Sequence, residues 1–228
     1  MRYPRIRRLL PRFLLRRLLH FEAATQDAVT RFAQELPASA RLLDAGAGQG
    51  AYARFFPRQR YVGIDLAIGE PKWDYGGLDV IGDLLALPFR SGSFEACLSV
   101  VTLEHVREPG CALREIGRIL KAQGRLLLVV PQEWEVHQAP HDYFRFTRYG
   151  IRYLLEKAGF IGIQILPVGG YFRLLARRLL NALAFFRGIR FLAAALLLAP
   201  PALLLPWFDR LDRERNFTLG YICTARKS

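Results

Sequence analysis

Residues 42–50 read Leu42-Leu43-Asp44-Ala45-Gly46-Ala47-Gly48-Gln49-Gly50, and this stretch decides the fold. Two leucines and an acid read as the end of a buried strand. Three glycines at alternate positions then let the backbone turn tightly and let a ligand lie against it. The pattern opens a helix, whose N-terminus would offer free N–H groups. Twenty-one residues after Asp44 comes Asp65, closing the apolar run Tyr61-Val62-Gly63-Ile64. A carboxylate at the tip of a second strand can accept both hydroxyls of a ribose. A G-x-G-x-G run alone is a weak signal. With both acids and the strand-loop-helix setting, it reads as a site for an adenosine-type cofactor rather than a merely structural turn.

Outward from this loop, short apolar runs alternate with amphipathic stretches as far as about residue 166. Arg41–Asp44, Tyr61–Asp65, Leu78–Gly82, Phe94–Val101, Arg125–Val130 and Ile161–Leu166 read as strands, and Asn216–Ala225 as a seventh. The fifth is almost continuously apolar, as expected of a strand buried on both faces. Glu108–Lys121 reads as a helix that ends shortly before Gly124, and a second starts at the N-cap Thr147 and stops at Gly159. Strand and helix in alternation imply an α/β fold, a largely parallel sheet with helices on both faces.

Composition narrows the class further. The 228 residues are 52% hydrophobic, far too apolar for a disordered chain, and carry a net charge of +13. Cys97, Cys111 and Cys223 are odd in number and widely spaced, which argues against a disulfide scaffold and for a reducing compartment. Nearly all the net charge sits in two places. Residues 1–20 hold seven Arg and no acid, residues 171–208 hold five Arg and no acid, and the remainder is close to neutral. Both basic segments are rich in Leu and Phe, a mixture that suits an anionic membrane surface better than nucleic acid. Arg16 and Arg17 interrupt the leucine pairs near the start before an apolar secretory core can form.

The chain resembles the class I S-adenosylmethionine-dependent methyltransferases, in particular the small bacterial enzymes described as methyltransferase type 11. The resemblance covers about residues 40–166 and the final strand. It rests on residues 43–50, Val62-Gly63-Ile64-Asp65, Gly82-Asp83-Leu84 with Leu87-Pro88-Phe89, Leu103-Glu104-His105-Val106, and Glu115 to Lys121 leading into the fifth strand. His141-Asp142-Tyr143-Phe144-Arg145-Phe146-Thr147 looks like a signature of one subgroup. The resemblance implies a Rossmann-like seven-stranded sheet with an antiparallel last strand and S-adenosyl-L-methionine over the strand ends. It implies Asp44 near the methionine ammonium, Gly46, Gly48 and Gly50 along the nucleoside, and Asp65 on the ribose with Leu66 beside it. It further implies Asp83 at the adenine amino group, with Leu84 and Val100 at the ring.

Methyl transfer from a sulfonium demands chiefly positioning, with a general base where the acceptor is an oxygen. His105 follows the fourth strand and His137 and His141 the fifth, at strand ends where open α/β sheets bind ligands. His141 is the first candidate for base or substrate contact, then His105, with Glu104 placed to orient either. No His, Asp and Glu stand at metal-ligand spacing, so no metal site and no metal-dependent transfer is expected.

The expected organisation is a basic amphipathic arm at 1–37, a methyltransferase domain at 38–170 and 209–228, and an insert at 171–208. Within the insert, Arg173, Arg177, Arg178 and Asn181 group on one side of a helix, with Phe172, Leu175, Leu179, Leu183 and Phe186 on another. Phe191–Phe208 is uncharged but holds Pro200, Pro201 and Pro206, so two short segments dipping into one leaflet suit it better than an unbroken span. A buried helical cap, or one that forms a homodimer, is the alternative. The expected function is methyl transfer to an amphiphilic acceptor (lipid, quinone or polyprenyl-linked glycan) at the inner face of the cell membrane, with the protein cytoplasmic and peripheral. Alternatives are a soluble small-molecule methyltransferase with a hydrophobic lid and a non-catalytic scaffold. Nucleic acid is not the expected partner, since Val100-Val101-Thr102-Leu103 stands where an Asn-Pro-Pro-Tyr-like tetrapeptide would be.

Overall fold

The computed structural model describes residue 16, residues 18–69 and residues 72–228. Residues 1–15 and 17 of the expected basic arm, including Arg2, Arg5, Arg7, Arg8, Arg12 and Arg17, lie outside the described residues. Seven strands form one sheet: β1 (Arg41–Ala45), β2 (Arg60–Asp65), β3 (Val80–Ile81), β4 (Phe94–Val100), β5 (Leu120–Pro131), β6 (Phe160–Val168) and β7 (Gly220–Lys227), in the order β3-β2-β1-β4-β5-β7-β6. The β1–β2, β1–β4, β2–β3 and β4–β5 pairs are parallel. β7 is antiparallel beside β5: Lys227 near its end donates to Leu120 O at 2.9 Å, and Tyr221 near its start donates to Gln132 Oε1 at 2.5 Å.

The helices are α1 (His20–Glu35), α2 (Pro109–Ile119), α3 (Arg148–Lys157), α4 (Tyr171–Ala182) and α5 (Gly188–Leu204). α2 starts with Pro at its first position, where the missing N–H costs nothing. It buries Ala112, Leu113, Ile116 and Ile119 in the core with Leu43, Ile64, Leu126, Leu128 and Val130. Gly117 on α2 lets α3 approach, since a Cβ there would meet Ala158 O at 3.2 Å. Thr147 caps α3 by accepting from Gly150 N, and Gly159 ends it at φ +82°.

Three local expectations need correction. The helix foreseen after the glycine loop is reduced to a three-residue 3-10 turn, Ala53–Phe55, because Pro57 lacks an N–H and restricts Phe56 before it. α2 ends at Ile119 rather than Lys121, and Gln123, not Gly124, takes the left-handed conformation, at φ +59°. Gly124 is needed for closeness instead, as a Cβ would lie 2.7 Å from Lys121 O. The third strand shrinks to Val80–Ile81.

The described residues form two compact units, one of residues 25–166 with 221–228, the other of the described residues up to 24 with 167–220. The second contains α4 and α5. Asp209 accepts from Gly170 N and Arg173 N, and Asp212 from Tyr171 N, so two acids some forty residues downstream satisfy the free N–H groups at the start of α4. Two arginines of the expected cationic face form ion pairs: Arg173 with Asp209 at 3.2 Å and Arg177 with Glu22 at 3.7 Å. α5 runs through Pro200 and Pro201 instead of breaking there. The carbonyls of Leu196 and Leu197, which these prolines cannot serve, belong to exposed residues, and Leu205 N–H resumes the ladder to Pro201 O.

Candidate functional site

The parallel register sets Asp44 of β1 opposite Gly63 of β2, so the loop after β1 folds over the end of β2. Gly46 and Ala47 both donate to Ile64 O, at 2.9 and 3.0 Å. Gly46, Gly48 and Gly50 all have positive φ. At Gly46 glycine is required twice, since a Cβ would also stand 2.0 Å from Thr102 Cγ2 at the end of β4. Asp65 fastens this loop: its Oδ2 accepts from Gly48 N at 2.9 Å and its Oδ1 from Ala67 N at 2.8 Å. Each oxygen keeps a lone pair for a further donor such as a ribose hydroxyl.

Asp44 is 1% exposed. Its Oδ2 accepts from the Tyr61 hydroxyl at 2.6 Å, while its Oδ1 meets no partner. Burial pushes its carboxyl up to about 7; the Tyr61 hydrogen bond pulls it back and the charge of Asp65 adds to the rise. A buried acceptor left unfilled is what a cationic ammonium group would complete, so the residues fit a methionine-bearing nucleoside. Gly46, Gly48, Asp65, Leu66, Asp83, Leu84 and Val100 line one cavity of about 660 Å³, whereas Gly50 and Asp44 are not among its lining residues. Asp83 also serves its own turn, accepting from Leu85 N at 2.9 Å. Glu115 and Arg118 on α2 hold the nearby Leu87-Pro88-Phe89 loop: Glu115 accepts from Leu87 N, and Arg118 donates to Leu87 O and Phe89 O.

His105, His137 and His141 line the same cavity, with Trp134 and Tyr143. The backbone carbonyl of His141 accepts from His105 Nδ1 at 2.5 Å, and the His141 ring reaches the Tyr143 hydroxyl at 3.2 Å. His105 Nε2 lies 3.1 Å from His137 Nε2. Glu104 lies beside this pair, its Oε1 3.8 Å from His105 Nε2 and 3.9 Å from His137 Nε2. Its side chain is 0% exposed and neither oxygen meets a partner; burial pushes its carboxyl up to about 8. Burial also lowers the His105 imidazolium below its usual range. Glu104 therefore sits with His105 and His137 rather than His141. The sequence spacing hid this three-residue cluster, because His137 lies 32 residues beyond His105 and only the parallel β4–β5 pairing brings their loops together.

The 141–147 stretch holds that loop in shape. Arg145 forks onto Asp142 at 2.6 and 2.8 Å and donates to Trp134 O and Glu135 O. Asp142 accepts in turn from His137 N at 2.9 Å. Sequence reasoning also missed Tyr61, Thr102 and Trp73, whose ring would meet a Cβ on Gly48 at 3.3 Å. No spacing signal marks them.

Residues 43–128 match the family described as Methyltransferase domain. The tRNA (carboxymethyluridine(34)-5-O)-methyltransferase of Arabidopsis thaliana is 28% identical over 149 residues, 61% of this chain and 36% of that protein. The demethylmenaquinone methyltransferase of Roseiflexus castenholzii is 35% identical over 98 residues, 39% of this chain and 41% of that protein. The chain thus spans well under half the length of these curated relatives. A solved Haemonchus contortus phosphoethanolamine N-methyltransferase 2 in complex with S-adenosyl-L-methionine shares the fold, with a TM-score of 0.58 at 20% identity over 90% of this chain and 52% of that one. The match over residues 43–128, with the seven-stranded sheet, the glycine loop and the paired acids, identifies that part of the chain as a class I S-adenosylmethionine-dependent methyltransferase domain.

Proposed function

We propose that the protein binds S-adenosyl-L-methionine in the cavity above β1 and β2 and transfers its methyl group to an amphiphilic acceptor at an anionic membrane surface. A lipid, a quinone or a polyprenyl-linked glycan has the required chemistry. The observation that carries the membrane part is the stretch Gly188–Leu211, 24 residues long and apolar enough to cross a bilayer, of which 17% is buried. Leu196 and Leu197 are 81% and 73% exposed. Arg187 and Arg190 are exposed at the start of this stretch and Trp207 near its end, an arrangement suited to lying in the headgroup region. On this reading the protein is cytoplasmic and peripheral on the inner face of the membrane.

Co-sedimentation with phosphatidylglycerol vesicles tests it. The intact chain is expected to sediment with them and not with phosphatidylcholine vesicles, and Leu196→Glu/Leu197→Glu is expected to abolish sedimentation while leaving cofactor affinity intact. Equal, negligible sedimentation of both proteins overturns the membrane reading in favour of a soluble enzyme whose insert is a lid. Absence of cofactor binding would favour a scaffold. The acceptor itself is identified by incubating a crude lipid extract with protein and isotope-labelled cofactor. A second reading, transfer to tRNA, is favoured by the Arabidopsis relative, and label in tRNA rather than lipid would select it.

A further inference from the structure

We propose that Glu104, His105 and His137 form a binding site for one divalent transition-metal ion on the wall of the cofactor cavity. The ligand atoms of these three residues all lie within 4.8 Å of one another. The partners of the two imidazoles determine their tautomers. His105 Nδ1 faces the His141 carbonyl at 2.5 Å and His137 Nδ1 faces the Glu135 carbonyl at 3.1 Å, and a carbonyl can only accept. Each neutral ring therefore carries its proton on Nδ1 and presents a bare lone pair at Nε2. Those two lone pairs face each other across 3.1 Å. Glu104 Oε1 joins them at 3.8 and 3.9 Å, wholly buried and without a hydrogen-bond partner. With Glu104 ionised, three acceptors converge on one point with no donor among them.

A proton on Glu104 or between the imidazoles would serve only two of the three acceptors at a time. A cation serves all three. Ligands about 2.0–2.2 Å from a common ion stand about 3–3.6 Å apart, so the imidazoles are already at ligand spacing and the carboxylate needs only a small rotation. Backbone carbonyls behind both rings are the outer support that metal-bound histidines require. Two imidazoles and one carboxylate select Zn²⁺, Fe²⁺, Co²⁺ or Mn²⁺ over Ca²⁺ and Mg²⁺. His105 and His137 line the cavity, so the ion's remaining positions open onto it and would take water or an oxygen atom of the acceptor. This last role rests on the proposed methyl transfer; the metal site itself does not.

Equilibrium dialysis of the chelator-treated full chain against Zn²⁺, with the visible spectrum of Co²⁺ as a geometric readout, tests the proposal. One ion per chain is expected, with an increase in thermal midpoint on Zn²⁺ addition. Glu104→Gln and His137→Ala are each expected to weaken binding at least about tenfold to a hundredfold. His141→Ala is expected to leave it unchanged. S-adenosylmethionine titration of the same samples verifies that the variants are folded. Should either variant fail to fold, the intact chain decides: no saturable Zn²⁺ or Co²⁺ binding by a preparation that takes up S-adenosylmethionine overturns the site. Undiminished binding by folded His137→Ala does the same. Neither result depends on which acceptor, if any, is methylated.

Discussion

Gly46→Ala puts the glycine loop to a quantitative test. An alanine Cβ there would stand 2.0, 2.4 and 2.6 Å from Thr102 Cγ2, Oγ1 and Cβ. Rotating the threonine does not relieve the contact, because its Cβ is itself too close, so the backbone of one strand end must move. Overpacking of this kind costs about 1–3 kcal/mol. The φ of +88° adds about 1–2 kcal/mol for any residue with a Cβ. The expected loss is therefore about 2–5 kcal/mol, a large share of the ~5–15 kcal/mol that holds a domain together. Gly50→Ala is the internal control, since it has φ +70° but nothing within 4 Å of the added carbon. It should lose only the conformational share, about 1–2 kcal/mol. Thr102→Gly combined with Gly46→Ala removes all three clashing atoms, so the double-mutant cycle should return a favourable coupling of about 1–3 kcal/mol. Urea unfolding followed by circular dichroism measures each corner. If Gly46→Ala and Gly50→Ala agree within about 0.5 kcal/mol, the close approach to Thr102 is not what requires glycine, and the argument fails.

Three further outcomes follow from the site. The folded-state carboxyl of Asp44 is raised from 3.8 to about 7, so its ionisation burdens the folded state progressively as pH climbs between those values, by up to roughly 4 kcal/mol. Asp44→Asn should therefore gain stability relative to the parent over that window while losing cofactor affinity; a pH-independent difference in unfolding free energy would refute this. Asp65→Ala removes the acceptor of Gly48 N and Ala67 N as well as the proposed ribose contact, and calorimetry should show cofactor affinity reduced by more than about tenfold, with an unchanged affinity counting against the site. Arg145 holds the Asp142 carboxyl down to about 2, so the pair supports the 131–146 loop above pH 3.8 and releases it as pH falls through 2. Arg145→Ala should cost about 1–3 kcal/mol and expose this loop to proteolysis at neutral pH, and Arg145→Lys should recover little because lysine lacks the fork; parent-like protease resistance in both variants would show the clamp to be idle.

The cofactor half of the site was legible in the sequence because its determinants are local. Asp44, Gly46, Gly48 and Asp65 occupy the ends of two adjacent strands, and the spacing between those strands survives in the linear order. The helix expected after the loop was not legible. The glycine motif suggested it, but Pro57 and the return to β2 at Arg60 leave room only for a 3-10 turn. In the insert, hydrophobicity and charge were read correctly as composition and incorrectly as geometry. Arg173 and Arg177 turn to Asp209 and Glu22, which lie outside the insert in sequence, and α5 continues through two prolines whose orphaned carbonyls belong to exposed residues.

The sequence by itself determined the alternating α/β architecture, the glycine loop with its two acids, and the presence of a long apolar insert. Each is written in periodicities and spacings shorter than about twenty-five residues. Tertiary structure alone decided that Glu104, His105 and His137 meet, that Tyr61 closes one oxygen of Asp44 and leaves the other unfilled, and that Thr102 forbids any side chain at Gly46. These contacts join the tips of different strands. Parallel pairing brings the tips together while the connecting helices keep them tens of residues apart along the chain, so no local pattern records them.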